Sequence, residues 1–194
     1  MISESENMAS EIKFGNKDAA AFMRSRKFTS PFIKNNKIAA AVKKCLVQAI
    51  SEGKGVRDWR KTVDAVYDSI GVARLKPAQA ESIFRTEFSL AMGAVHFLKM
   101  QDVRDQFPYW EISAVFDDHK ELEGKIFDAS DVEFHPPLSE ECNCVAILIS
   151  RREAEKRGIR SKSIISPEIR SATTDNDFIA CKVRMYQEWI KRKL

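Results

Sequence analysis

The chain has 194 residues, 44% hydrophobic and 31% charged, with a formal net charge of +4. That length fits one domain, or one domain with an appendage, and the balance is that of a globular chain rather than a disordered one. No apolar run reaches about eighteen residues, so no membrane span is expected. The start, MISESENMASEIKF, carries acidic residues and no apolar segment of the secretory type, which makes cytoplasmic synthesis the expectation.

Residues 1–17 are polar and read as a flexible N-terminus. DAAAFMRSRK reads as a short helix with Asp18 as its N-cap. Pro31 disfavours a helical conformation at Ser30 and ends it. NNKIAAAVKKCLVQAISEG is an amphipathic helix: Ile38, Val42, Cys45 and Ala49 fall on one line, with Leu46 and Ile50 beside it. Cys45 on that face reads as a small buried hydrophobe. Gly53 and Gly55 stop the helix. VRDWRKTVDAVYDSIGV is a third helix, with a stripe of Trp59, Val63, Val66 and Ile70. Pro77 opens the fourth and longest, where its missing N–H has no intrahelical partner. Ala80, Phe84, Phe88, Ala91 and Val95 form one apolar line there, and Ile83, Leu90, Ala94 and Phe97 another.

Glu87 interrupts the second line. A carboxylate on a partly buried face must be paired, so Glu87 is expected to reach a salt bridge or cap outside its own helix, with a catalytic or metal role as the alternative. Arg85 lies on a more polar side and is placed to pair with Glu81. His96 shares that polar side and is expected in solvent.

Beyond Gln101 the helical period fails and Pro108 breaks the chain. EISAVF alternates as a strand, DDHKELEG is a turn or a single helical turn, and KIF is a second short strand. DASDVEFHPPLSEECN is a long loop rich in turn residues. CVAILIS, apolar and β-branched, is the clearest strand. Such a sheet is too small to be stable alone. SRREAEKRGI reads as a short charged helix, RSKSIISPEIRSATTDND as a linker, and DFIACKVRMYQEWIKRKL as an amphipathic helix with Ile179, Val183, Tyr186 and Ile190 on one side. The linker would leave that helix free to reach a neighbouring subunit.

Charge follows this division. From Met100 to Ile149 three Lys/Arg stand against twelve Asp/Glu; from Ser150 to Leu194 twelve stand against six. An acidic cassette thus sits between basic flanks. The parts can neutralise one another, or the flanks can meet nucleic acid or an acidic partner.

The cassette gathers the chemistry. Four cysteines in a chain this size are free thiols or metal ligands rather than a disulfide framework. Cys142-x-Cys144 with His119 gives three ligands for a soft or borderline cation, with His135, Asp117, Asp118, Asp128 or Asp131 as a fourth, and structural zinc is the candidate ion. The alternative is two reduced cysteines packing a turn, with His119 holding a loop by hydrogen bonds. A metal-dependent hydrolase or nuclease can be drawn from the same residues, through a Cys142 thiolate with a histidine base or a metal on Asp117, Asp118 and His119. No Gly-rich phosphate loop accompanies them.

Five motifs then fall in one order: Arg85-Thr86-Glu87 on a helix, Trp110 at a strand start, His119 to Gly124 as H-x-x-L-x-G, Pro136-Pro137-Leu138, and Cys142-Asn143-Cys144 before an apolar strand. This order resembles the phage Mu F-like head morphogenesis family of minor capsid proteins, over roughly residues 18 to 150. Ser139 stands where the family commonly has His after P-P-L, and Asn143 where it has Arg between the cysteines. A loop that often precedes the H-x-x-L-x-G histidine is missing, and the segment after Ser150 matches no family pattern. The resemblance implies a non-enzymatic minor head protein in the virion, made in the host cytoplasm. Its partners would be the portal or major capsid protein and possibly double-stranded DNA, with a role in packaging or delivery.

The expected fold is α+β: a helical part over 18–101, a β-cassette over 108–150, the two forming the head-morphogenesis-like domain, and a basic linker and C-terminal helix over 151–194.

Overall fold

The computed structural model describes residues 4–114, 117–140, 142–163 and 176–193. It is α+β, with helices preceding and following a three-stranded antiparallel sheet. The helices are α1 (Glu4–Ser25), α2 (Asn36–Glu52), α3 (Val56–Ile70), α4 (Pro77–Asp102), α5 (Arg151–Lys156) and α6 (Asn176–Lys191). The strands are β1 (Tyr109–Ser113), β2 (Ile126–Asp128) and β3 (Val145–Ile149), in the order β2-β1-β3. The chain forms two compact units, residues 1–95 and 96–194. The helix predicted from Asp18 begins earlier, at Glu4. The expected linker around Pro167 lies outside the described residues.

In the first unit, α2 forms where its apolar line requires it. Asn35 caps it, its side chain accepting from the N–H groups of Lys37 and Ile38. Gly53 ends it at φ 66°, a left-handed position that suits glycine, and its N–H returns to the carbonyls of Ala49 and Ile50. All six residues predicted for its apolar face are buried. In α3 the stripe is shifted: Trp59, Val63 and Tyr67 are buried, while Ile70 is 49% exposed. The spacing of Tyr67 from Val63 continues the line by four residues, and Ile70, next to the Gly71 cap, lies beyond it.

Glu87 finds its partner in Arg26, just past the end of α1. Both side chains are nearly buried, so the pair replaces the water that each charge has lost. Arg85 stays at the surface and pairs with Glu81 one turn back, Nε to Oε1 at 2.9 Å.

In the second unit the sheet presents two unlike faces. Trp110, Ile112, Phe127 and Ala146 point inward and are buried. Trp110 stacks on Phe127 with ring centroids 4.5 Å apart, and Phe127 on Phe134 at 5.0 Å. Leu122, Leu138, Cys142 and Ile179 complete this core. Ser163 holds the edge of β2, its N–H donating to the Ile126 carbonyl at 2.7 Å and its Oγ accepting from Ile126 N–H at 2.9 Å; the other face carries Glu111, Val145 and Ile147. Arg157 pairs with Glu111 at 2.6 Å. Val145 and Ile147 of β3 remain half exposed on that face, at 50% and 51%.

Glu87→Ala leaves the Arg26 charge without its ion-pair partner. We expect a loss of about 3–5 kcal/mol in urea unfolding, and recovery of much of it when Arg26→Met is combined with Glu87→Leu. A Glu87→Ala loss below about 1 kcal/mol would show that water already solvates the pair.

Candidate functional site

The β1–β2 connection is a 3-10 helical segment, Asp117–Leu122, in which His119 departs from helical geometry at φ −131° and ψ 27°. Leu122 anchors the segment in the core. Gly124 then turns the chain into β2 at φ 70°, its N–H donating to the Ile112 carbonyl at 3.0 Å. With Leu122 and Gly124 fixed, the segment carries His119 inward, where it is 4% exposed. The long β2–β3 loop brings Cys142 and Cys144 to the same place from the other direction.

His119 Nδ1 lies 3.3 Å from Cys144 Sγ. With Cys142 Sγ, these ligand atoms all fall within 4.8 Å of one another. Cys142 is buried and Cys144 partly exposed. The hydrogen bond from Cys144 pulls the Cys142 thiol well below its ordinary pKa, against the opposing effect of burial, and His119 and the backbone of Leu138 and Cys144 add to the pull.

The other predicted ligands lie elsewhere. Asp128 is occupied by Ser130, whose N–H and Oγ both donate to its Oδ1, at 2.9 and 2.6 Å. Asp131 pairs with Lys162 at 3.0 Å. The side chains of Asp117 and Asp118 are outside the described part of the structure. His135, predicted as a fourth ligand, joins a second cluster instead. Its Nε2 meets His96 Nδ1 at 3.0 Å, and its ring is edge-on to Trp110, Phe97 and Tyr186. Aromatic rings enclose it. Burial keeps His135 well below the ordinary histidine pKa, with the His96 and Lys182 charges acting the same way, so it is neutral. His96 is exposed, as its polar helix face predicts, yet its inner nitrogen serves this contact.

Lys182 was missed in the sequence. It is fully buried, and its ammonium donates to the His135 carbonyl at 2.6 Å and the Glu133 carbonyl at 2.9 Å. Burial pushes its pKa down to about 7, opposed by the negative charges of Cys142 and Asp131. The signal was present: Lys182 follows Ile179 by three residues and precedes Tyr186 by four, so it shares their helix face. The buried side of α6 is therefore Ile179, Lys182, Tyr186 and Trp189 rather than the line through Val183 and Ile190. The helix packs on the cassette of its own chain, with Ile179 in the cassette core.

Residues 40–147, more than half of the chain, match the family described as Phage Mu protein F like protein. The chain belongs to this family. A relative, the Putative capsid assembly protein F of Escherichia phage Mu, is 25% identical over 112 residues, which are 53% of this chain and 26% of the relative. The chain thus spans about a quarter of that relative's length. No solved structure matches.

The matched region runs from α2 to β3, and the residues that carried the resemblance to the F-like family occupy structural positions within it. Trp110 is fully buried and its indole N–H donates to the Asp128 carbonyl at 3.0 Å. Pro136 and Pro137, joined by a cis peptide bond, are buried beside Leu138. Of the R-T-E trio, Glu87 is buried in its ion pair, Arg85 is on the surface, and Thr86 is partly buried.

Lys182→Met keeps the stem but leaves two inward carbonyls without their donor. We expect a loss of about 1–3 kcal/mol at neutral pH. Because the unfolded lysine binds its proton more tightly than the folded one, wild-type stability gains from Lys182 as pH rises from about 7 towards the ordinary lysine value of 10.5. The gap between wild type and Lys182→Met in denaturant melts should widen over that range; a gap that narrows would mean the ammonium is the favoured form inside.

Proposed function

We propose that this chain is a minor head protein that acts in capsid assembly by binding the portal or the capsid interior, through association rather than catalysis. The observation that carries this is the family match across 40–147, together with a relative named for capsid assembly. The placement of the shared residues supports it. Trp110, Gly124, Leu138 and Glu87 hold the fold, which is what a recognition scaffold asks of its fixed residues. Among the described residues no helix is long and apolar enough to cross a membrane.

The face of β3 offers a surface for such a contact. Val145 and Ile147 stand one above the other on an edge strand, half exposed, while Glu111 of the neighbouring strand is paired with Arg157 on that face. Exposed apolar residues on a strand edge are costly to leave open and suit a partner surface. In this reading a portal or coat subunit covers them.

Co-expression with the portal and coat proteins of the same phage tests the function. The chain should sediment with portal rings or procapsids, and Val145→Glu with Ile147→Glu should abolish this while changing stability by less than about 0.5 kcal/mol per site. Failure to associate with either protein would overturn the proposal. Tight DNA binding in its place, falling steeply with salt, would move the function to the basic flanks.

A further inference from the structure

The group formed by His119, Cys142 and Cys144 has a chemistry that the head-protein reading does not use. We propose that these three residues bind a zinc ion, which ties the β1–β2 connection to the entry of β3. Tetrahedral zinc holds thiolate sulfur at about 2.3 Å and imidazole nitrogen at about 2.0–2.1 Å, which sets ligand atoms about 3.5–3.8 Å apart. The three ligand atoms already lie within 4.8 Å, and one pair is at 3.3 Å. Movements well under the length of a side chain bring them to coordination distance.

The donor set selects the ion. Two sulfurs and an imidazole suit zinc and other borderline or soft cations, whereas magnesium and calcium require oxygen. The carboxylates predicted as ligands whose side chains are described, Asp128 and Asp131, are held by Ser130 and Lys162. Among the described residues this is the one group of three or more His, Cys, Asp or Glu residues close enough to share an ion. Water completes the tetrahedron. Access is from the side of Cys144, which is partly exposed, while His119 and Cys142 close the inner side.

The location gives the ion a task. The strands are five, three and five residues long, and a sheet of that size cannot fix the loops that flank it. A metal joining His119 to Cys142 and Cys144 closes two loops at one point and adds its binding energy to folding. The other two cysteines, Cys45 on α2 and the exposed Cys181 on α6, provide internal controls.

The test uses the full chain, reduced and stripped of metal with a chelator, titrated anaerobically with cobalt(II). We expect one equivalent to give a thiolate-to-cobalt charge-transfer band and the visible bands of a tetrahedral ion, and one equivalent of zinc to displace it. Cys144→Ser and Cys142→Ser should each remove most of the charge-transfer intensity; Cys45→Ser and Cys181→Ser should leave it unchanged. Zinc should raise the melting temperature of the stripped wild type by several degrees and that of Cys144→Ser by little. Because the wild-type titration needs no variant to fold, it decides alone: no charge-transfer band in the reduced wild type overturns the proposal. A band that persists in the Cys142→Ser, Cys144→Ser double variant overturns it too. Neither result bears on portal association, which is read separately by sedimentation.

Discussion

The second unit depends on covering one small surface. The inner face of the sheet carries Trp110, Ile112 and Phe127, and three short strands cannot enclose it themselves. Each flanking segment is shaped by that need. The 3-10 connection contributes Leu122, the β2–β3 loop contributes Phe134, Leu138 and Cys142, and α6 contributes Ile179. At roughly 25 cal/mol for each square ångström of apolar surface removed from water, aromatic residues supply the largest share of such a core. The stack of Phe134, Phe127 and Trp110 is therefore the spine on which the irregular segments settle.

Covering a sheet with loops brings backbone carbonyls inside, and those need donors. Lys182 meets this need for Glu133 and His135, both in the β2–β3 loop. The lysine head, at the end of a long stem, reaches both. The cost is a desolvated ammonium, visible in its depressed pKa. The same economy of position explains His135. Its carbonyl accepts from Lys182, its ring fills the space among Phe97, Trp110 and Tyr186, and its Nε2 meets His96. These contacts place the ring with His96 and the aromatic residues.

What the sequence made legible follows the range of the interactions. Periodicity is local, so the α2 face, the three strands and the helical turn at Asp117–Leu122 could all be read directly. Glu87 announced a partner because a carboxylate broke an apolar line, but Arg26 is 61 residues distant and no pattern pointed to it. The proximity of His119 to Cys142 and Cys144 was anticipated from residue type, and spacing alone could not separate it from His135. Lys182 was passed over because residue type was given more weight than helical phase. The exposure of Ile70 and the burial of Tyr67 came from the same cause in reverse: an aliphatic residue at a helix end was credited to a stripe that ends before it.

The two candidate features of the cassette call for different tolerance to change. The Trp110, Leu122 and Leu138 contacts are apolar and collective, so a substitution of similar volume loses little. The His119, Cys142 and Cys144 group is chemical, and no side chain of similar volume reproduces two sulfurs and an imidazole. The β3 face differs again, since Val145 and Ile147 contribute little to the interior and can vary with the surface they meet. With the proposed cross-link between the loops and the proposed contact at the edge, such a scaffold would separate folding from recognition. A substitution at Val145 or Ile147 would then alter the contact and leave the Trp110, Phe127 and Phe134 core in place.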